Sequence, residues 1–124
     1  MILIPQQEKG VKKEPMTREG FRASLMQTFE QCLAISDAKN TDYAVGSDPF
    51  LNFRHVESLG LCSIQVGMLV RLSDKMGRIA NLIASDKPPS VTNESVDDTI
   101  MDAINYLAIL RAYRVSEGLV GGLE

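Results

Sequence analysis

Apolar residues recur at three- and four-residue steps along most of this chain. They run from Phe21, Leu25, Met26, Phe29 and Leu33, through Ile64, Met68, Leu72, Met76, Ile79 and Leu82, to Val96, Ile100, Ala103, Ile104, Leu107 and Leu110. Such steps line one face of an α-helix, and no segment alternates apolar and polar residues long enough to make a strand. The class expected is therefore all-α: three long helices, with a fourth where a glycine splits the middle one. Helices with one apolar face each close into a bundle. At 124 residues and 44% hydrophobic composition the chain fits one domain with a small core, which an oligomer would enlarge.

Punctuation residues set the expected boundaries. Residues 1–16 carry charge without apolar periodicity and are expected to form a mobile arm, and the domain proper spans 17–118. Thr17 is a helix cap for a first amphipathic helix that packs inward and ends near Ser36 or Ala38. Residues 39–53 mix Gly, Pro, Asn and Asp with three aromatics and predict a long loop, a feature that usually has a job in a small domain. From Arg54 to about Ala84 the pattern is helical, broken or kinked near Gly60 and Gly67. Ser85 to Ser90, with Pro88 and Pro89, predicts a turn. Thr92 or Asn93 then caps a last helix from about Glu94 to Ser116 or Glu117, Gly118 ends it, and 119–124 form a tail.

Charge and cysteine usage exclude several classes. A formal net charge of −3 offers no basic footprint for polymeric nucleic acid. Cys32 and Cys62 lack the short spacing of a zinc site and are expected to be reduced, Cys32 within an apolar helical pattern. No run is long enough to cross a membrane, and the opening Met1 to Pro5 is too short for a signal-peptide core, so a cytoplasmic protein is expected.

Two polar strips carry the candidate chemistry. Arg71, Asp74, Lys75 and Arg78 share one helix face, and Glu94, Asp98, Asp102 and Asn105 share a face of the next. Asp102 lies among Ile100, Met101, Ala103 and Ile104, where a carboxylate requires a cationic partner. Acids from facing helices offer oxygen ligands, the preference of magnesium or manganese over zinc. The competing reading has Asp98 and Asp102 in salt bridges to Arg71, Lys75 or Arg78 with no metal. Tyr43, Phe50 and Phe53 are either plugs for the bundle or a stacking platform for a base, beside Lys39, Asn40, Asp42 and Asn52 as polar readers. His55, the lone histidine, is given no role, and Glu30 and Glu57 either join the acidic cluster or are solvated or paired, the commoner outcome.

Taken in order, Lys39-Asn40-x-Asp42-Tyr43, Asp48-Pro49-Phe50-x-Asn52-Phe53, Arg71-Leu72-Ser73-Asp74-Lys75-x-x-Arg78 and Glu94-Ser95-Val96-x-Asp98-Thr99-x-x-Asp102-x-x-Asn105-Tyr106 resemble a phage and bacterial family within the MazG-like all-α nucleoside triphosphate pyrophosphatases. The resemblance spans about Phe21 to Tyr113. It implies a helical bundle assembled as a homodimer or homotetramer, and hydrolysis of a (d)NTP between the α and β phosphates to the monophosphate and pyrophosphate. Some relatives convert dGTP to dGMP to feed synthesis of 2-aminoadenine in phages. The implied cofactor is Mg2+ or Mn2+, held by Asp74, Glu94, Asp98 and Asp102, of which Asp74, Asp98 and Asp102 are the implied catalytic acids. Members typically hold metal with a Glu-x-x-Glu motif and a Glu-x-x-Asp motif; here the earlier is reduced to Arg71-x-x-Asp74 and Thr99 stands in the later. The implied substrate contacts are Lys39, Asp42, Tyr43, Asn52 and Phe53 around the base, Arg71, Lys75 and Arg78 on the phosphates, and Asn105 and Tyr106 by the sugar. Two other readings stay open: a nucleotide-binding or helical assembly module without turnover, and a purely structural helical protein.

Overall fold

The computed structural model describes residues 14–43, 48–86 and 89–120, and within these all side chains except those of 40–43 and 89–94. The described residues form four α-helices and no strand: α1 (Arg18–Tyr43), α2 (Leu51–Ser58), α3 (Ile64–Ile83) and α4 (Pro89–Ser116). The all-α expectation therefore holds. Most of the arm expected at 1–16, its first 13 residues, and residues 121–124 of the tail lie outside the described residues.

Capping chemistry explains most of the helix ends. The Gly20 N–H donates to Thr17 Oγ1 at 3.0 Å, as expected of an N-cap, and Glu19 adds an acid to the positive end of α1. Ser63 caps α3 by accepting from the Val66 N–H at 3.2 Å. Gly60 and Gly118 adopt φ of 72° and 70° after α2 and α4. At both, the glycine N–H and the next N–H reach back to the last helical carbonyls, which only a residue free of Cβ allows cheaply: Gly60 to Glu57 and Leu61 to Val56, Gly118 to Val115 and Leu119 to Arg114.

Three boundaries differ from expectation. α1 continues to Tyr43, so the first five residues of the expected loop are helical, and Leu51, Asn52 and Phe53 open α2 instead of closing that loop. The middle helix breaks at Gly60 alone. Gly67 lies buried inside α3, where a Cβ would come within 2.7 Å of Val56 Cγ2, so this glycine serves the close approach of α2 to α3. α4 starts at Pro89, earlier than Glu94, because a proline at the first helical position loses no hydrogen bond it could have made.

α3 and α4 form the main pair, with α1 laid against α4 and α2 against α3. The α3–α4 pair is antiparallel: Arg114 Nη1 donates to Gln65 Oε1 at 2.6 Å, Lys75 Nζ stands 3.4 Å from Asp102 Oδ2, and Arg78 Nε donates to Thr99 Oγ1 at 3.3 Å. Cys32, Ile64, Met68, Thr99, Met101 and Ala103 form the buried centre. Several residues expected inward are exposed: Phe21, Leu25, Met26, Phe29 and Leu33 on α1, Met76 on α3, and Ile100 and Leu107 on α4. Among the described residues the side of α1 that carries Cys32 is the one laid against α4, and α4 meets α3, α1 and, through Tyr106, Phe53 of α2, which leaves Ile100 and Leu107 exposed.

Candidate functional site

A cleft of about 480 Å³ opens where the C-terminal part of α1, the Asp48-Pro49-Phe50 turn with the start of α2, and the middle of α4 meet. Each wall follows from local sequence. Asp48 accepts from the Phe50 N–H at 3.0 Å and holds Arg54 Nε at 2.6 Å, which clasps the turn onto α2. These donors hold the Asp48 carboxyl below the ordinary aspartate range, with the Arg54 hydrogen bond as the main cause. Phe50 meets the Tyr113 ring edge-on at 5.5 Å, fixing the turn to α4. Burial, then the nearby Glu117 and Glu57, push the Tyr113 hydroxyl above its usual pKa, so it stays neutral.

Seven of the expected site residues reach this cleft: Lys39, Asn52, Phe53, Arg71, Asp102, Asn105 and Tyr106. Arg71 lays its guanidinium 5.1 Å from the Phe53 ring centroid, and Phe53 meets Tyr106 edge-on at 6.2 Å. One face of Phe53 is thus already covered by a cation, which favours a packed wall over a bare platform on that face. Asn105 donates from Nδ2 to the Cys32 carbonyl at 3.0 Å, and Cys32 Sγ in turn donates weakly to the Met101 carbonyl at 3.8 Å. Burial, with Asp102 and Asp97 nearby, raises the Cys32 thiol pKa, so Cys32 remains a buried, protonated packing group, as the apolar pattern suggested.

Asp102 is the electrostatic centre. Lys39 Nζ approaches its Oδ1 at 3.1 Å and Lys75 Nζ its Oδ2 at 3.4 Å, and the carboxylate side chain is 24% exposed. Two ammonium groups meet this one carboxylate, while Asp37 and Asp48 place two further acids in the cleft wall. The cationic partner demanded by an acid in an apolar segment is therefore lysine, one from each neighbouring helix.

The other acids are placed elsewhere. Asp74 and Asp98 are exposed and take no part in the cleft wall. Asp74 is about 100° round α3 from its neighbour Lys75, which faces Asp102. Asp98 lies a turn beyond Asp102, level with the Arg78–Thr99 contact. Arg78 is likewise outside the cleft wall. The side chains of Asp42, Tyr43 and Glu94 lie outside the described residues, although their backbones belong to α1 and α4. Among the described residues no three His, Cys, Asp or Glu side chains gather as a metal ion would need. The four-acid shell expected for a resident Mg2+ or Mn2+ is thus not assembled by the side chains described.

Sequence reasoning missed part of the site. Asp37, Asp48, Ile109 and Ala112 line the cleft without having been assigned to it. The signal for the last two was present, since Asp102, Asn105, Tyr106, Ile109 and Ala112 continue one face of α4 at steps of three, one, three and three. Among the described residues no helix is long and apolar enough to cross a membrane. No protein-family model, curated protein or solved structure matches this chain.

Proposed function

We propose that the chain is a (d)NTP pyrophosphohydrolase of the MazG-like kind, acting on the magnesium or manganese complex of a nucleoside triphosphate. The observation that carries this reading is the cleft itself. Asp102 with its Lys39 partner, the Arg71 guanidinium, the Asn52 and Asn105 amides and the Phe53 and Tyr106 rings converge on a volume within the range that holds a small ligand, with Lys75 holding Asp102 from outside the wall.

The chemistry follows from charge. Lys39, Lys75 and Arg71 exchange their contacts for phosphate oxygens, which compete well for ammonium and guanidinium groups. Asp102, released from its lysines, accepts a proton from the attacking water. The water oxygen bonds to the α phosphorus, the bridging bond to the β phosphate breaks, and pyrophosphate leaves with its charge shared by the lysines and by the divalent ion it carries. Arg78, one turn beyond Lys75 on α3 and bonded to Thr99 outside the cleft wall, would have to leave Thr99 to reach the far phosphates. dGTP is the substrate suggested by the resemblance to the phage branch.

The assembly in this reading is a homodimer or homotetramer in the cytoplasm. The support is the apolar strip of α1: Phe29 and Leu33 are 58% and 61% exposed, and Phe21, Leu25 and Met26 extend the same surface. Monomers seldom leave such a surface open.

A second reading, nucleotide binding without turnover, is favoured by the absence of a gathered acid shell among the described residues. One experiment separates the two. The chain is incubated with a panel of NTPs and dNTPs plus Mg2+ or Mn2+, and products are resolved by phosphorus NMR. Monophosphate with pyrophosphate supports the proposal, whereas no product despite nucleotide binding supports the second reading.

A further inference from the structure

The Asn105 side chain has its orientation fixed. A backbone carbonyl can only accept, so the 3.0 Å contact with the Cys32 carbonyl requires the Asn105 NH2 group to face α1. The amide oxygen is then the end turned away from that carbonyl, and Asn105 is a wall residue of the cleft. It offers an incoming molecule an acceptor.

The cleft also has a direction. Along α4 the charged end is Asp102 with Lys39 and Lys75, whereas Ile109 and Ala112 form the far end of the wall, next to Tyr113, whose ring holds Phe50 of the Pro49-Phe50 turn at 5.5 Å. At 1.5 Å rise per residue, Asn105 is about 4.5 Å past Asp102, Ile109 about 10 Å and Ala112 about 15 Å. A nucleoside triphosphate has the same order of chemistry: anionic phosphates, then a hydroxylated sugar, then a flat base with apolar faces.

We infer that the nucleotide lies along α4 with its phosphates at Asp102 and its base between Ile109, Ala112 and the Pro49-Phe50 turn, and that Asn105 Oδ1 accepts a hydrogen bond from the sugar 3′-hydroxyl. The 3′-hydroxyl is the sugar donor shared by ribo- and deoxynucleotides, and it lies between the phosphate arm and the base, as Asn105 lies between Asp102 and Ile109. This rests on the cleft being the triphosphate site proposed above. Asn105 is then a specificity-determining residue that rejects sugars lacking the donor, since its oxygen would be left facing the ligand without a partner.

Calorimetry tests it, using a 2′-deoxynucleoside triphosphate and its 2′,3′-dideoxy counterpart with the same base, on the parent chain and on Asn105→Ala. The parent should bind the deoxy compound roughly five- to tenfold more tightly, the worth of one neutral hydrogen bond. Asn105→Ala should bring the ratio to about one by weakening the deoxy compound alone. Equal binding of both compounds by the parent overturns the inference but leaves the proposed function standing, and this arm needs no variant to fold. A variant that weakens both compounds alike also overturns it, because that is what a mere strap between α4 and α1 would do. If neither triphosphate binds the parent, the proposed function falls and the inference with it.

Discussion

Asp102 is where structural and functional demands on a single residue can be separated. Its ion pairs are part-exposed, with Lys39 itself 55% exposed, so they contribute at most about 1 kcal/mol to folding. In the proposed reaction it receives the water proton and is indispensable. Asp102→Asn is therefore expected to abolish pyrophosphate release while shifting the melting temperature by no more than a few degrees, read by product assay and thermal melts in parallel. Lys75→Ala should lower kcat/KM roughly 10- to 100-fold, the value of one charge-assisted contact to phosphate. A residue that merely holds α3 to α4 would change stability and leave the rate untouched. Asp48 gives a pH signature. Its folded pKa is depressed by Arg54 and the Phe50 N–H, so its contribution is present above the ordinary aspartate pKa and is lost as pH falls through the lowered value. Melts across the acid range should show a shallower loss of stability with falling pH in Asp48→Asn than in the parent.

At the level of helices, close approach between α2 and α3 depends on Gly67. A methyl group there would lie 2.7 Å from Val56 Cγ2, so Gly67→Ala should destabilise the fold by about 1–3 kcal/mol in denaturant titrations, despite the better helix propensity of alanine. The helical class, the Thr17 cap and the Gly118 terminus were legible because each is a local rule written in neighbouring residues. The role of Gly67 was not legible, since a glycine that breaks a helix and one that admits a neighbour look alike in sequence. The extension of α1 past Ala38 was hidden for a related reason. Asn40, Thr41 and Asp42 favour breaks locally, yet the chain stays helical to Tyr43, with Lys39 reaching Asp102 on α4. The acids differ in the same way. Spacing put Asp98 and Asp102 on one face, but only the packing of α1 and α2 decides where the cleft ends along that face, and it leaves Asp98 beyond it.

Across the whole molecule, the small buried centre and the uncovered strip of α1 are two sides of one fact. Apolar spacing told which residues form a face but not whether the face meets the same chain or another copy. Self-association through α1 should appear as a dimer or tetramer by analytical ultracentrifugation. Phe29→Lys with Leu33→Lys, which places charges on residues now 58% and 61% exposed, should shift that species to monomer. A parent chain that sediments as a monomer at all concentrations would contradict the assembly. Nucleotide binding in the cleft is read by mapping where a slowly hydrolysed α,β-imido nucleoside triphosphate perturbs backbone amide resonances of the full chain. Changes should concentrate at Lys39, Asn52, Phe53, Arg71 and the stretch of α4 from Asp102 to Ala112. Perturbations confined to the exposed Asp74 and Asp98 surface, or none at saturating nucleotide, would contradict it.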